Sequence, residues 1–199
     1  FWGAVTLNEI TSPKPNEMTV NVTGEQWVWS FGYPEQGDFV SSELVLPVDR
    51  TIVLKMNAED VIHSFWVPEF RVKQDLVPGR ETTLRITPTE AGEFQLVCAE
   101  ICGLNHTKMT ATVRVLDAAG FQAWADEKNA APAFAELTPE ERGAIWHSAE
   151  GFGCVACHSI DGSRRVGPSL KGLFGRPREV TSAGRTVTVT ADTGYLKRA

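Results

Sequence analysis

The sequence predicts a mainly β protein, an antiparallel sandwich or barrel, followed by a small all-α domain. Three observations carry that expectation. Between Met18 and Leu116, short apolar runs recur with turn residues between them. Asn129-Ala130-Ala131-Pro132-Ala133 then reads as a linker,. Beyond it, Thr138-Pro139-Glu140-Glu141 has a capping threonine, a proline at the first helical position and a glutamate that closes a capping box,.

Residues 1–17, with Pro13 and Pro15, read as a lead-in rather than a structured element,. Met18, Val20 and Val22 alternate with polar neighbours up to Thr23-Gly24. Gln26-Trp27-Val28-Trp29-Ser30-Phe31 then places Trp27, Trp29 and Phe31 on one face of a strand,. Further strands are predicted at 43–48, 51–56, 61–67, 82–87, 93–97 and 110–116, with turn signals such as Val77-Pro78-Gly79 and Ala91-Gly92 between them,. A helix over 118–128 closes this part. The expected domains are thus a lead-in at 1–17, a β domain at 18–128, a linker at 129–137 and a helical domain at 138–199.

At 199 residues the chain suits one large domain or two small ones,. No apolar stretch approaches the roughly eighteen residues that span a bilayer,. The chain starts at Phe1 without a leader and reads as a processed or trimmed product,. Residues 1–130 carry 18 acids against 10 bases, and residues 131–199 carry 7 against 9. An acidic front and a mildly basic back suggest two bodies that would attract each other.

All four cysteines fall in two clusters. The first is Cys98-Ala99-Glu100-Ile101-Cys102-Gly103-Leu104-Asn105-His106-Thr107-Lys108-Met109, which crowds two thiols, an imidazole and a thioether behind an apolar run. Thiolate and thioether select copper and other soft metals. Two cysteines four apart on a tight loop can each bridge two metal ions, with His106 and Met109 completing them. One imidazole is missing, and His63 in Val61-Ile62-His63-Ser64-Phe65 is the candidate. The chemical rival is a zinc site of Cys98, Cys102, His106 and His63, a set that zinc accepts readily. Zinc gains little from Met109.

The second cluster, Cys154-Val155-Ala156-Cys157-His158, reads as a c-type haem attachment site,. Cys154 and Cys157 would bond the haem and His158 would bind its iron. Haem of this kind is generally attached outside the cytoplasm, so an extracytoplasmic location is expected.

Cys-x-Glu-x-Cys-Gly-x-x-His-x-x-Met with an upstream His63 resembles the dinuclear copper centre, CuA, in subunit II of haem-copper cytochrome c oxidases. The resemblance extends to Gly24-Glu25-Gln26-Trp27-Val28-Trp29 and to Val72-Lys73-Gln74-Asp75-Leu76-Val77-Pro78-Gly79-Arg80, and covers about residues 18–116. It implies a cupredoxin-like Greek-key sandwich. His63, Cys98, Cys102, His106 and Met109 would be ligands, with the Glu100 carbonyl as a further one. The Glu100 carboxylate would hold magnesium or manganese at the contact with subunit I, since hard ions prefer oxygen donors. Trp27, with Trp29 beside it, would pass electrons to the copper. The donor would be a cytochrome c, the acceptor haem in subunit I, and the partners the other oxidase subunits. A pair of N-terminal membrane helices would precede Phe1, on the outer face of a bacterial cytoplasmic membrane. No nucleic acid is expected.

Gly167-Pro168-Ser169-Leu170 and Gly172-Leu173-Phe174-Gly175-Arg176 extend the second cluster and resemble small cytochromes c. There the Pro168 carbonyl would orient His158. No methionine follows His158 to serve as the distal ligand. The helical domain is therefore expected to be incomplete. Two other readings stand beside this one. A nitrous-oxide reductase-like electron module shares the ligand spacing but usually has an aromatic residue where Glu100 stands. A zinc-binding module with a redox-sensing Cys-x-x-Cys tail leaves Met109 and His158 without a role.

Overall fold

Every second residue of the first strand, β1 (Met18–Glu25), is buried, and Met18, Val20 and Val22 enter one apolar core. This period-two burial organises the rest of the fold. The computed structural model describes residues 1–130, 138, 141, 143, 144, 147, 154–165, 167, 169–182 and 185–190. The chain divides into two compact units, Phe1–Gly153 and Cys154–Ala199.

In the first unit, β1 is followed by β2 (Val28–Tyr33), β3 (Phe39–Ser41), β4 (Leu44–Pro47), β5 (Ile52–Ala58) and β6 (His63–Val67). Then come β7 (Val72–Leu76), β8 (Thr82–Ile86), β9 (Gly92–Cys98) and β10 (Thr110–Leu116). They form two five-stranded sheets, ordered β3-β2-β1-β5-β8 and β4-β10-β9-β6-β7. The result is a cupredoxin-like β-sandwich. Phe31, Leu54, Phe65, Leu96 and Val113 are among the side chains buried between the sheets.

The sandwich is not purely antiparallel. β1 pairs in parallel with β5, and β10 with β4. Both pairings join strands distant in sequence, so no short turn between them could announce it. Two strands also escape the sequence reading. β3 is only three residues long. β7 places Gln74 on its inward side between Val72 and Leu76, which breaks the apolar alternation.

The lead-in is also more ordered than expected. Trp2–Thr11 form a helix, α1, which buries none of its residues. The helix ends at Thr11 and Pro13 lies just beyond, as befits a residue that cannot extend a helix,. The Arg85 guanidinium of β8 donates to the Thr11 carbonyl at 3.0 Å and to Glu17 at 2.9 Å. It satisfies a carbonyl that the helix end leaves open. The predicted helix at 118–128 is present as α2 (Ala118–Ala130), which continues into the expected linker. Phe121 and Trp124 of α2 are buried, and Trp124 meets Tyr33 edge-on at 4.9 Å. Among the described residues, no helix is long and apolar enough to cross a membrane.

The capping box is formed as predicted: the Thr138 amide and hydroxyl both donate to Glu141, and the Glu141 amide donates back to the Thr138 hydroxyl. Gly143, Ala144 and His147 are helical, and residues 131–137 and 148–153 lie outside the described residues. The second unit departs from an all-α domain. Pro177–Ser182 (β11) and Arg185–Thr190 (β12) pair as an antiparallel hairpin.

Tyr33 fastens the two sheets together. Its hydroxyl accepts from the Val45 amide at 2.7 Å and donates to the Val45 carbonyl at 3.1 Å, fully buried. Tyr33→Phe leaves two buried backbone groups without that partner. Chemical denaturation should show it destabilised by about 1–3 kcal/mol, with the m-value unchanged.

Candidate metal centre

The end of β9 presents Cys98 beside Phe65 of β6. The chain then leaves the sheet, loops through Cys102 and a short turn at His106–Lys108, and returns at Met109 to start β10. Backbone bonds close the loop at its base. The Cys98 amide donates to the Met109 carbonyl at 3.0 Å, and the Ala99 amide to the Ser64 carbonyl at 2.9 Å. His63, at the head of β6, is fully buried alongside.

The expected donors converge at this end of the sandwich. The Cys98 and Cys102 sulfurs lie 3.7 Å apart. On the Cys98 side are His63 Nδ1 at 4.0 Å and the Glu100 carbonyl oxygen at 3.2 Å. Close to Cys102 are His106 Nδ1 at 3.6 Å and Met109 Sδ at 3.8 Å. The donors thus fall into two sets around a shared pair of sulfurs, an arrangement that suits two soft ions better than one zinc. Cys98, Cys102, His63 and Met109 are all buried, so a bound ion would be shielded from water. Glu100 is exposed, as are Ile101 and Leu104.

Burial, reinforced by the neighbouring Cys98 thiol, pushes the Cys102 thiol up from 9.0 to about 12. Without metal it is therefore protonated at neutral pH, and an ion that binds here must displace the proton.

Three residues not singled out for this site complete it. Asp60 Oδ1 lies 2.8 Å from His63 Nε2. A carboxylate facing that nitrogen holds its proton there and turns Nδ1, as a lone pair, toward the sulfurs. Burial works against the charged form of Asp60, but the His63 ring and the amides of Val61 and Gln26 outweigh it and hold the carboxyl low. Gly24 is the second. A Cβ there would lie 3.1 Å from the His63 ring, so glycine admits the imidazole,. The third is Gln26, whose side-chain amide donates to the Cys102 carbonyl at 2.7 Å. The spacing Asp60-x-x-His63 and a glycine inside the β1 pattern were visible signals for the first two. Gln26 carried none.

The two tryptophans separate. Trp27 precedes β2 instead of sharing a strand face with Trp29, and is half-buried, its indole N–H donating to the Cys102 carbonyl at 3.0 Å. Trp29 is core. Its ring meets His63 edge-on at 6.2 Å and its N–H reaches the Met109 carbonyl at 3.4 Å.

In the second unit, Cys154–Ala156 form a short helical turn, closed by the His158 amide on the Cys154 carbonyl at 2.8 Å. The following loop folds back, with the Gly167 amide on the Cys157 carbonyl at 2.7 Å. A Cβ on Gly167 would lie 2.5 Å from His158 Cε1, so only glycine fits over the ring. Neither cysteine is in a disulfide. Two thiols and an imidazole on one turn fit the haem chemistry that the spacing predicts. Pro168 lies outside the described residues.

Residues 39–116 match the family model described as cytochrome c oxidase subunit II, periplasmic domain. The crystal structure of the periplasmic domain of subunit II of cytochrome oxidase from Bradyrhizobium japonicum is 33% identical, with a TM-score of 0.55, over 58% of this chain and 95% of that one. The chain belongs to the cytochrome c oxidase subunit II family. Among curated relatives, cytochrome c oxidase subunit 2 of Thermostichus vulcanus is 44% identical over 129 residues, 65% of this chain and 38% of that protein. The Synechocystis protein of the same name is 47% identical over 94 residues, 47% of this chain and 28% of its own length. The chain thus spans well under half the length of these two subunit II relatives. The family match takes in every donor from His63 to Met109.

A thiol raised in the fold binds its proton more tightly than in the unfolded chain, so its contribution to stability is present below pH 9 and lost toward pH 12,. The metal-free chain should lose stability over that window in pH-dependent thermal unfolding. Cys102→Ser should flatten the loss.

Proposed function

We propose that this chain is the extracytoplasmic electron-input part of an aerobic cytochrome c oxidase. It takes electrons from a cytochrome c and delivers them, by way of a haem c and a two-copper centre of its own, to the haem of subunit I. The observation that carries this reading is the sulfur pair at 3.7 Å, with one imidazole near each sulfur. Membership of the subunit II family and a match to its periplasmic domain support the location.

Cys98, Cys102, His63, His106, Met109 and the Glu100 carbonyl would hold the two coppers. Bound there, a copper pair supplies one-electron transfer with little change in geometry. The protein's part is to hold its donors still. Asp60 fixes the His63 tautomer, Trp29 walls the ring, and the buried sulfurs exclude water. The exposed Glu100 carboxylate is free to offer oxygen to magnesium or manganese at a subunit I contact,. Trp27, half-exposed and hydrogen-bonded to the Cys102 carbonyl, is an aromatic surface group bonded directly to the metal loop. Cys154 and Cys157 would carry the haem, with His158 on its iron and Pro168 orienting that histidine.

Metal analysis with visible and electron-paramagnetic spectra tests the reading. Two coppers per chain sharing one spin, together with haem c bands, is the expected result. One zinc and no haem would overturn it. Trp27→Ala should slow electron entry into the copper pair from the haem c, on the order of tenfold or more, while the spectrum keeps its two-copper form. Stopped-flow reduction checks this, and unchanged kinetics would remove Trp27 from the path.

A further inference from the structure

Gln26 and Trp27 form one dipeptide that touches the metal centre from both sides. The Cys102 carbonyl accepts two side-chain hydrogen bonds, from Gln26 Nε2 at 2.7 Å and Trp27 Nε1 at 3.0 Å. The Gln26 backbone amide donates to Asp60 Oδ2 at 2.7 Å, and the other oxygen of that carboxylate faces His63 Nε2 at 2.8 Å. Cys102 and His63 are 39 residues apart in the chain and belong to different donor sets, yet both are tied to this dipeptide.

The neighbouring glycine is shaped to the contact. Gly103 has φ +110°, and a Cβ there would lie 2.9 Å from Gln26 Nε2 and 3.3 Å from the Trp27 ring. A side chain there would be strained at this φ, would displace Gln26 Nε2 and would crowd the Trp27 ring,. Glycine at this point of the loop therefore serves the hydrogen bonds as well as the turn.

We infer that Gln26 is a positioning residue for the metal centre: its side chain fixes the Cys102 peptide, while its backbone amide fixes Asp60 and through it His63. This rests on the reading of Cys102 and His63 as copper ligands. The peptide of a metal-bound cysteine is the point at which such bonds act on the metal. Two donors on its carbonyl hold the sulfur in place and draw electron density from it. Partners one bond removed from a ligand commonly change metal affinity about 10- to 100-fold when lost.

The test is Gln26→Met in the full chain, which keeps the side-chain length and removes the N–H donor. Gln26 is exposed, so the substitution leaves the core intact. In the metal-free variant the carbon resonance of the Cys102 carbonyl should move upfield, as it does on losing a hydrogen bond. The His63 Nε2 proton should stay in slow exchange, because the backbone amide still holds Asp60. In the copper-loaded variant, loss of metal to a chelator should quicken about tenfold, and the reduction potential should fall because the thiolate has become richer in electrons. An unmoved carbonyl resonance, or copper retention within about twofold of the parent, would overturn the inference. If the parent chain takes up no copper at all, the functional reading falls, and the carbonyl resonance still decides the role of Gln26.

Discussion

The metal site depends on holding two cysteine sulfurs 3.7 Å apart at the end of a β-sandwich. Thiols left to themselves at that distance either oxidise or turn away, so the loop that bears them must be fixed along its whole length. Its base is closed by backbone bonds from Cys98 to Met109 and from Ala99 to Ser64. Its crest is held by Gln26 and Trp27 at the Cys102 carbonyl. The remaining donors then fall into place from strands that the sandwich has already positioned. β6 brings His63, and the turn before β10 brings His106 and Met109. Sheet register therefore does for this site what a disulfide or a long helix does elsewhere. It converts distant residues into neighbours.

The electrostatics follow from the same burial. A site dry enough to shield a metal raises the Cys102 thiol to about 12 and keeps it protonated until a cation arrives. The Asp60 carboxylate is aimed at His63 Nε2, away from the face that the metal would use. Charge is thus available where it orients a ligand and excluded where it would compete with the thiolates. Glu100 continues the separation outward: its carbonyl faces the sulfur and its carboxylate faces solvent.

How much of this was legible depended on distance along the chain. The spacing Cys98-x-x-x-Cys102-x-x-x-His106-x-x-Met109 is local, and chemistry alone singles it out. His63 answers to the second imidazole that this loop lacks. Gln26 was not found, because its partner lies 76 residues away and nothing in a glutamine's surroundings announces a distant carbonyl. Trp27 was assigned to the Trp29 face because alternation was carried one residue too far, past the point where β2 begins. The parallel pairings of β1 with β5 and β4 with β10 left no local mark either. In the second unit, Val187 and Val189 alternate with threonines beyond Ala183-Gly184, which is a hairpin pattern. The expectation of a helical domain hid it.

The central claim is that the fold, rather than the metal, assembles the donors. Amide hydrogen exchange of the metal-free chain measures this most directly. Ala99, His106, Lys108 and Met109 each donate to a defined carbonyl, at 2.8–3.2 Å. If the site is preassembled, their amides exchange slowly, like those of the flanking strands β9 and β10. Exchange at the rate of an unfolded chain across residues 99–109, with β9 and β10 still protected, would show that the loop is made by the metal and would contradict the account.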